Sequence, residues 1–167
     1  AFVKIKSVEI TRFSGQASFA NNQIDLDADL ADAARELKVA GQLALSSPNR
    51  ALSVRTLSLT TAGETWTLPA GTTAVLRADA TKIEVNDLTL AKGAQRVSAD
   101  GAFALTPEGT SSSAGLRLRF DQVQLADANR IVLGTRRLEG LLNGDVTVAG
   151  PIDDLRVNGE ISMTNGM

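Results

Sequence analysis

The chain has no cysteine, no histidine and no tyrosine among its 167 residues, and only one Trp and five Phe. Without Cys there is neither a disulfide framework nor a thiolate metal site. Without His as well, the common nucleophile–base pairs and most transition-metal sites lose their main components, so enzymatic activity is not expected. Aromatic platforms of the kind that stack sugars or single-stranded bases are scarce. Lys and Arg number 17 against 19 Asp and Glu, a net charge of −2. The basic residues are scattered, which leaves no electrostatic footprint for nucleic acid. No run of about 18 apolar residues is present to span a bilayer. The opening stretch Ala1-Phe2-Val3-Lys4-Ile5-Lys6 lacks the basic start, apolar middle and small-residue cleavage site of a signal peptide.

What the chain does have is strict alternation. Ile24, Leu26, Ala28 and Leu30 alternate with Asp25, Asp27 and Asp29, and Leu116, Leu118 and Phe120 alternate with Arg117 and Arg119. Side chains on a strand point to opposite faces in turn, so one face is aliphatic and the other charged, the mark of antiparallel strands with one solvated side. A first phrase, Gly-x-apolar-x-apolar, begins at Gly41, Gly101, Gly144 and Gly159, with a weaker copy at Gly15. Its glycine stands where a large inward residue belongs, which predicts a bend, a bulge or a close backbone approach. A second phrase, apolar-x-apolar-x-x-apolar-x-apolar, runs over Val3–Ile10, Leu52–Leu59, Ile83–Leu90 and Leu118–Leu125. Its extra residue would turn the second half of the strand over unless a β-bulge absorbs it.

Turn residues punctuate the runs at Asn21-Asn22, Ser46–Asn49, Ala62-Gly63, Pro69–Gly71, Lys92-Gly93, Thr106–Gly109 and Pro151–Asp154. The spacing predicts an all-β meander of about ten to twelve strands. Ser111–Ser113 reads as a loop tip. Only Ala31–Glu36 and Asp127–Val132 have the composition for a helical turn, and neither is long enough for an independent helix. The pattern starts at residue 1 and ends close to residue 167. The chain is therefore expected to be one segment, residues 1–167, of a longer repeat-like protein whose anchor or export signal lies elsewhere.

Few residues suggest chemistry. Asp25, Asp27 and Asp29 invite a calcium loop with Glu36 at its twelfth position, but Leu30 stands where that loop needs glycine, so a solvated acidic strand face is the expectation. No Ser sits in a nucleophile elbow, and no glycine triplet opens a helix. Trp66 and Leu68 fall opposite Leu57 and Leu59 across the Ala62-Gly63 turn and read as packing residues. Arg130, Arg136 and Arg137 read as solvated, with a lipid headgroup as the alternative. The aliphatic face itself remains. On pattern alone it fills a closed sandwich or barrel core, or lines an open groove suited to alkyl chains, each buried methylene contributing about 0.8 kcal/mol.

The stretch Arg137–Gly166 resembles the repeat phrase of the TamB and wider AsmA-like family. There one strand ends in Gly150-Pro151, an acidic turn follows, and the next strand reads Val157-x-Gly159-x-Ile161-x-Met163. Leu37–Leu45 and Val97–Leu105 resemble it more weakly. The resemblance implies an all-β fold, a long, curved, mostly antiparallel sheet folded into a taco-like hydrophobic groove with little helix. It also implies a non-catalytic periplasmic protein, without cofactor or metal, anchored in the inner membrane of a Gram-negative bacterium. Its groove would shield phospholipid or other acyl-chain lipid between the inner and outer membranes. An outer-membrane barrel partner of the TamA type, reached through the parent chain, is implied as well. The groove-lining candidates are Val3, Ile5, Ile24, Leu26, Leu43, Leu45, Leu52, Val54, Ile83, Val85, Phe103, Leu105, Leu116, Leu118, Phe120, Val146, Val148, Ile161 and Met163, with Gly41, Gly101, Gly144 and Gly159 setting curvature. The alternative is a chaperone-like module that pairs its edge with strands of outer-membrane proteins.

Overall fold

The structure is a computed structural model that describes residues 3–5, 8–45, 50–61, 63–106, 115–128, 139–151 and 154–165. The expected turns at 46–49 and 107–109, the loop tip at 111–113, and Arg130, Arg136 and Arg137 lie outside these residues. Among the described residues are thirteen strands. They are β1 (Val3–Ile5), β2 (Val8–Ile10), β3 (Arg12–Ala20), β4 (Gln23–Ala31), β5 (Arg35–Ala44), β6 (Arg50–Thr61), β7 (Glu64–Thr67), β8 (Ala74–Ala78), β9 (Lys82–Lys92), β10 (Gln95–Ala104), β11 (Gly115–Gln124), β12 (Leu141–Ala149) and β13 (Arg156–Thr164). One helical turn, α1 (Leu125–Ala128), follows β11. No helix forms at Ala31–Glu36. There the Asp32 carboxylate accepts the Ala34 and Arg35 N–H groups, each at 2.7 Å, and closes the β4–β5 hairpin.

Eleven strands make one antiparallel sheet in the order β13-β12-β11-β10-β9-β7-β6-β5-β4-β3. β8 shares the position of β7, both lying between β6 and β9. Most neighbours in the sheet are neighbours in sequence, as a meander requires. At about 4.8 Å between strands, the ten positions span roughly 45 Å. Among the described residues β3 and β13 each have a neighbour on one side only, at opposite ends of that span, and do not pair with each other, so the sheet is not closed into a barrel. β1 and β2 form a separate two-stranded ribbon.

The register locates the bulges. β5 and β6 slip between Ala40 and Gly41, which leaves one residue extra between Val54 and Leu57. β9 and β10 slip between Ala99 and Gly101, where Asn86 and Asp87 intervene between Val85 and Leu88. β11 and β12 slip between Phe120 and Val123. Asp87 and Gln122 have φ of 56° and 50°, the left-handed conformation that turns a strand. Three of the four second-phrase copies therefore end as bulges. The fourth, Val3–Ile10, does not, because its halves are the paired strands β1 and β2, with Ile5 opposite Val8.

These irregularities line up. From β5 to β10 they occupy successive strands at the same depth, and the β7–β8 break at Leu68–Ala74 falls between them. The result is a crease across the strands. A side-chain carbon at Gly41 would strike the Ser53 carbonyl oxygen, and one at Gly101, where φ is +117°, the carbonyl of Gly115. Only glycine lets the bent strands approach so closely.

Candidate functional site

One face of the sheet carries the aliphatic residues in rows that run from strand to strand. Phe19, Ile24, Leu43, Leu52, Leu76 and Val85 stand opposite one another in turn. The row continues through Gly101, Leu116, Val148 and Val157. A second row holds Leu26, Gly41, Val54 and Ala74. Leu88, Ala99, Leu118, Val146 and Gly159 form a third, and Leu90, Val97, Phe120, Gly144 and Ile161 a fourth. Ile83 pairs with Phe103, and Leu142 with Met163. Leu45 extends β5 through its N–H bond to Asn22.

One pair of expected lining residues sits elsewhere: Val3 and Ile5 belong to the β1–β2 ribbon, outside the main sheet. Leu105 extends β10 through its N–H bond to the Thr81 carbonyl oxygen, as Leu45 extends β5. The face also includes residues not among the candidates, notably Val39, Leu57, Leu68, Leu76 and Leu88. Val39, Leu57, Leu76 and Leu88 pack around a core of Val54, Leu68 and Ala74. The second phrase already contained Leu57 and Leu88. Leu76 had no such signal, because β8 is short.

Burial grades along and across this face. Val54, Ala74, Val85 and Val146, near the crease, are 3, 0, 8 and 7 % exposed. The walls are mostly half-buried. At the ends, Phe13 and Phe19 on β3 and Val157, Ile161 and Met163 on β13 are all more than half exposed. The face is therefore packed at its centre and open at both ends. Gly144 and Gly159 lie on the same face, and a side-chain carbon there would meet the backbone oxygens of Glu160 and Asp145.

The opposite face is charged and cross-linked between strands. Arg117 and Arg119 both bond Asp145, and Arg55 and Gln42 both bond Asp25. The Arg117 guanidinium holds the Asp145 carboxyl below the usual carboxylate range. The acidic run Asp25, Asp27, Asp29 sits here, and no His/Cys/Asp/Glu group among the described residues is arranged to hold a metal ion.

One polar cluster interrupts the aliphatic face, at the rim where β7, β9, β10 and α1 meet. Lys92 Nζ donates to Asp127 Oδ2 at 2.6 Å and lies 2.8 Å from Glu64 Oε2. Gln95 Nε2 donates to the same Asp127 oxygen at 2.9 Å, and Gln95 Oε1 accepts the Gln124 N–H at 2.7 Å. Burial opposes the Lys92 charge, but its bonds to Asp127 and Glu64 prevail and hold its pKa above the ordinary lysine value. The members come from separate elements, so no local pattern in the sequence announces them.

No helix among the described residues is long and apolar enough to cross a membrane. No curated protein and no solved structure matches the chain. An all-β sheet of this length, creased by glycines and bulges, with one aliphatic and one charged face, agrees with the family model described as the TamB C-terminal domain, which matches residues 7–167, and the chain belongs to that family.

Proposed function

We propose that the aliphatic face forms a trough that shields acyl chains of phospholipid as they pass between the inner and outer membranes, in a periplasmic segment of an inner-membrane-anchored parent chain. The observation that carries this reading is the aliphatic face that runs across ten strand positions, interrupted by polar side chains only at one rim, whose apolar side chains become exposed at both ends. Exposed contiguous apolar surface marks an interaction site. At about 0.8 kcal/mol per buried methylene, an alkyl chain laid along the rows gains several kcal/mol. The rows repeat with nearly equal chemistry from strand to strand, so a chain slides without losing much contact. The roughly 45 Å sheet exceeds the roughly 30 Å hydrocarbon core of a bilayer, which suits a conduit better than a pocket.

A photo-crosslinking side chain placed at Leu26 or Leu118 on the inner face is expected to capture phospholipid in bacterial cells. The same group at Gln16 or Arg119 on the outer face is not. Equal capture from both faces, or none from either, would defeat the proposal.

The second reading, edge pairing with strands of outer-membrane proteins or of a TamA-like barrel, has its own support in β13. That strand is exposed along its whole length and, among the described residues, is unpaired on one side. Unpaired strand edges template further pairing. Proline introduced separately at Asn158 and at Ile161, one for each parity of the ladder, should abolish client capture at one of the two positions while lipid crosslinking at Leu26 persists.

A further inference from the structure

We infer that Asp100 and Asn143, two side chains on the outer face, are positioning residues that set how far the trough opens. An extra residue in one strand leaves a backbone N–H without a ladder partner. At the β9 bulge that donor is Asp87 N–H, and the carboxylate of Asp100 on the adjoining strand accepts it at 3.2 Å. At the β11 bulge the donor is Gln122 N–H, and the side-chain oxygen of Asn143 accepts it at 2.9 Å. Both donors belong to residues with left-handed φ. Both acceptors stand at the register slip and precede a glycine, as Asp100-Gly101 and Asn143-Gly144. The same device is thus built twice, on two separate pairs of strands.

Each cap ties the bent residue to its neighbour from outside, while the following glycine lets the backbones close up inside. Without the acceptor, the bulge N–H turns to water and the left-handed residue loses the contact that offsets its strain. The strand then relaxes toward a straighter course, and the two walls move apart. The bore of the trough is in this way governed from the polar face. For the acyl chains admitted, the inference rests on the lipid-shielding reading; for the bend itself it does not.

The absence of Cys makes a direct test available. Nitroxide labels at Arg77→Cys and Arg96→Cys bracket the Asp87 bulge, and labels at Arg117→Cys and Gln124→Cys bracket the Gln122 bulge. Pulsed electron–electron double resonance reads the distance across each. Asp100→Ala is expected to shift and broaden the first distribution, and Asn143→Ala the second. Asp100→Asn and Asn143→Asp, which keep an oxygen acceptor, are expected to retain the parent distributions. Unchanged distances in both alanine variants, with native circular dichroism, would overturn the inference, as would acceptor-retaining variants that behave like alanine. Phospholipid co-purified with each variant is measured in parallel. Altered distances together with an altered acyl-chain composition support both ideas. Altered distances with unchanged lipid support the positioning role and count against the lipid reading alone.

Discussion

A methyl group at Gly101 would demand two things at once, a positive φ that L-residues rarely adopt and room occupied by the Gly115 carbonyl. Gly101→Ala is therefore expected to lower stability by about 1–3 kcal/mol, read from the urea midpoint. Ala at Gly63, where φ is also positive but nothing lies within 4 Å, should cost less, about 1 kcal/mol. Residues at turns matter by another route. Asp79 accepts the Thr81 N–H and hydroxyl and the Lys82 N–H, and these bonds hold its carboxyl below the ordinary range. A folded-state pKa lower than the unfolded one gives stability that is complete above the unfolded value, about 4, and lost as pH falls through the folded value. Asp79→Asn should accordingly reduce the urea midpoint near neutrality, with the difference from the parent shrinking below about pH 4. The phrase Ala78-Asp79-Ala80-Thr81-Lys82 matches Ala31-Asp32-Ala33-Ala34-Arg35, and in both the aspartate closes a hairpin. That repeat is visible in the sequence. Its alanines suggest helix, yet a two-residue link between long alternating runs leaves no length for one.

At the scale of the element, one phrase has two solutions. Apolar-x-apolar-x-x-apolar-x-apolar keeps all four apolar residues on one face either by a bulge or by a hairpin whose two halves pair. Where a neighbouring strand runs alongside both halves, as β5, β10 and β12 do, the bulge forms. At Val3–Ile10 the halves pair with each other. The sequence pattern is the same in both cases, so only the presence of a neighbour decides. Deleting Gln122 leaves Asp121 alone opposite Asn143, so regular alternation returns, Val123, 4 % exposed, stays on the aliphatic face, and only the bend is lost. Retention of a cooperative unfolding transition is the expected result. Gln122→Gly, which relieves the left-handed strain, is expected to keep the bend as well and to raise stability by up to about 1 kcal/mol, read from the urea midpoint.

For the molecule as a whole, the two free edges and the exposed apolar residues beside them predict association. The parent chain should self-associate with rising concentration in analytical ultracentrifugation, and Val157→Lys with Ile161→Lys on β13 should shift it toward monomer. No shift in sedimentation would mean that the β13 edge is not the contact. The outer-face ion pairs are expected to contribute little to stability, because their partners are exposed and salt screens them. Their effect is to keep one face wet.

Alternation, the glycine phrase and the bulge phrase determined by themselves that the chain is all-β, that one face is aliphatic, and where β6, β9 and β11 bulge. These are local properties, set by the period of two in a strand and by the steric demands of single residues. Tertiary structure alone decided which of two folds the Val3–Ile10 phrase takes, that β7 and β8 share one position, and that Glu64, Lys92, Gln95 and Asp127 meet at a rim. It also decided that, among the described residues, β3 and β13 do not pair, so the sheet is not closed into a barrel. Each of these outcomes depends on how distant strands stack and where the crease accumulates across them, and no short stretch of sequence holds that information.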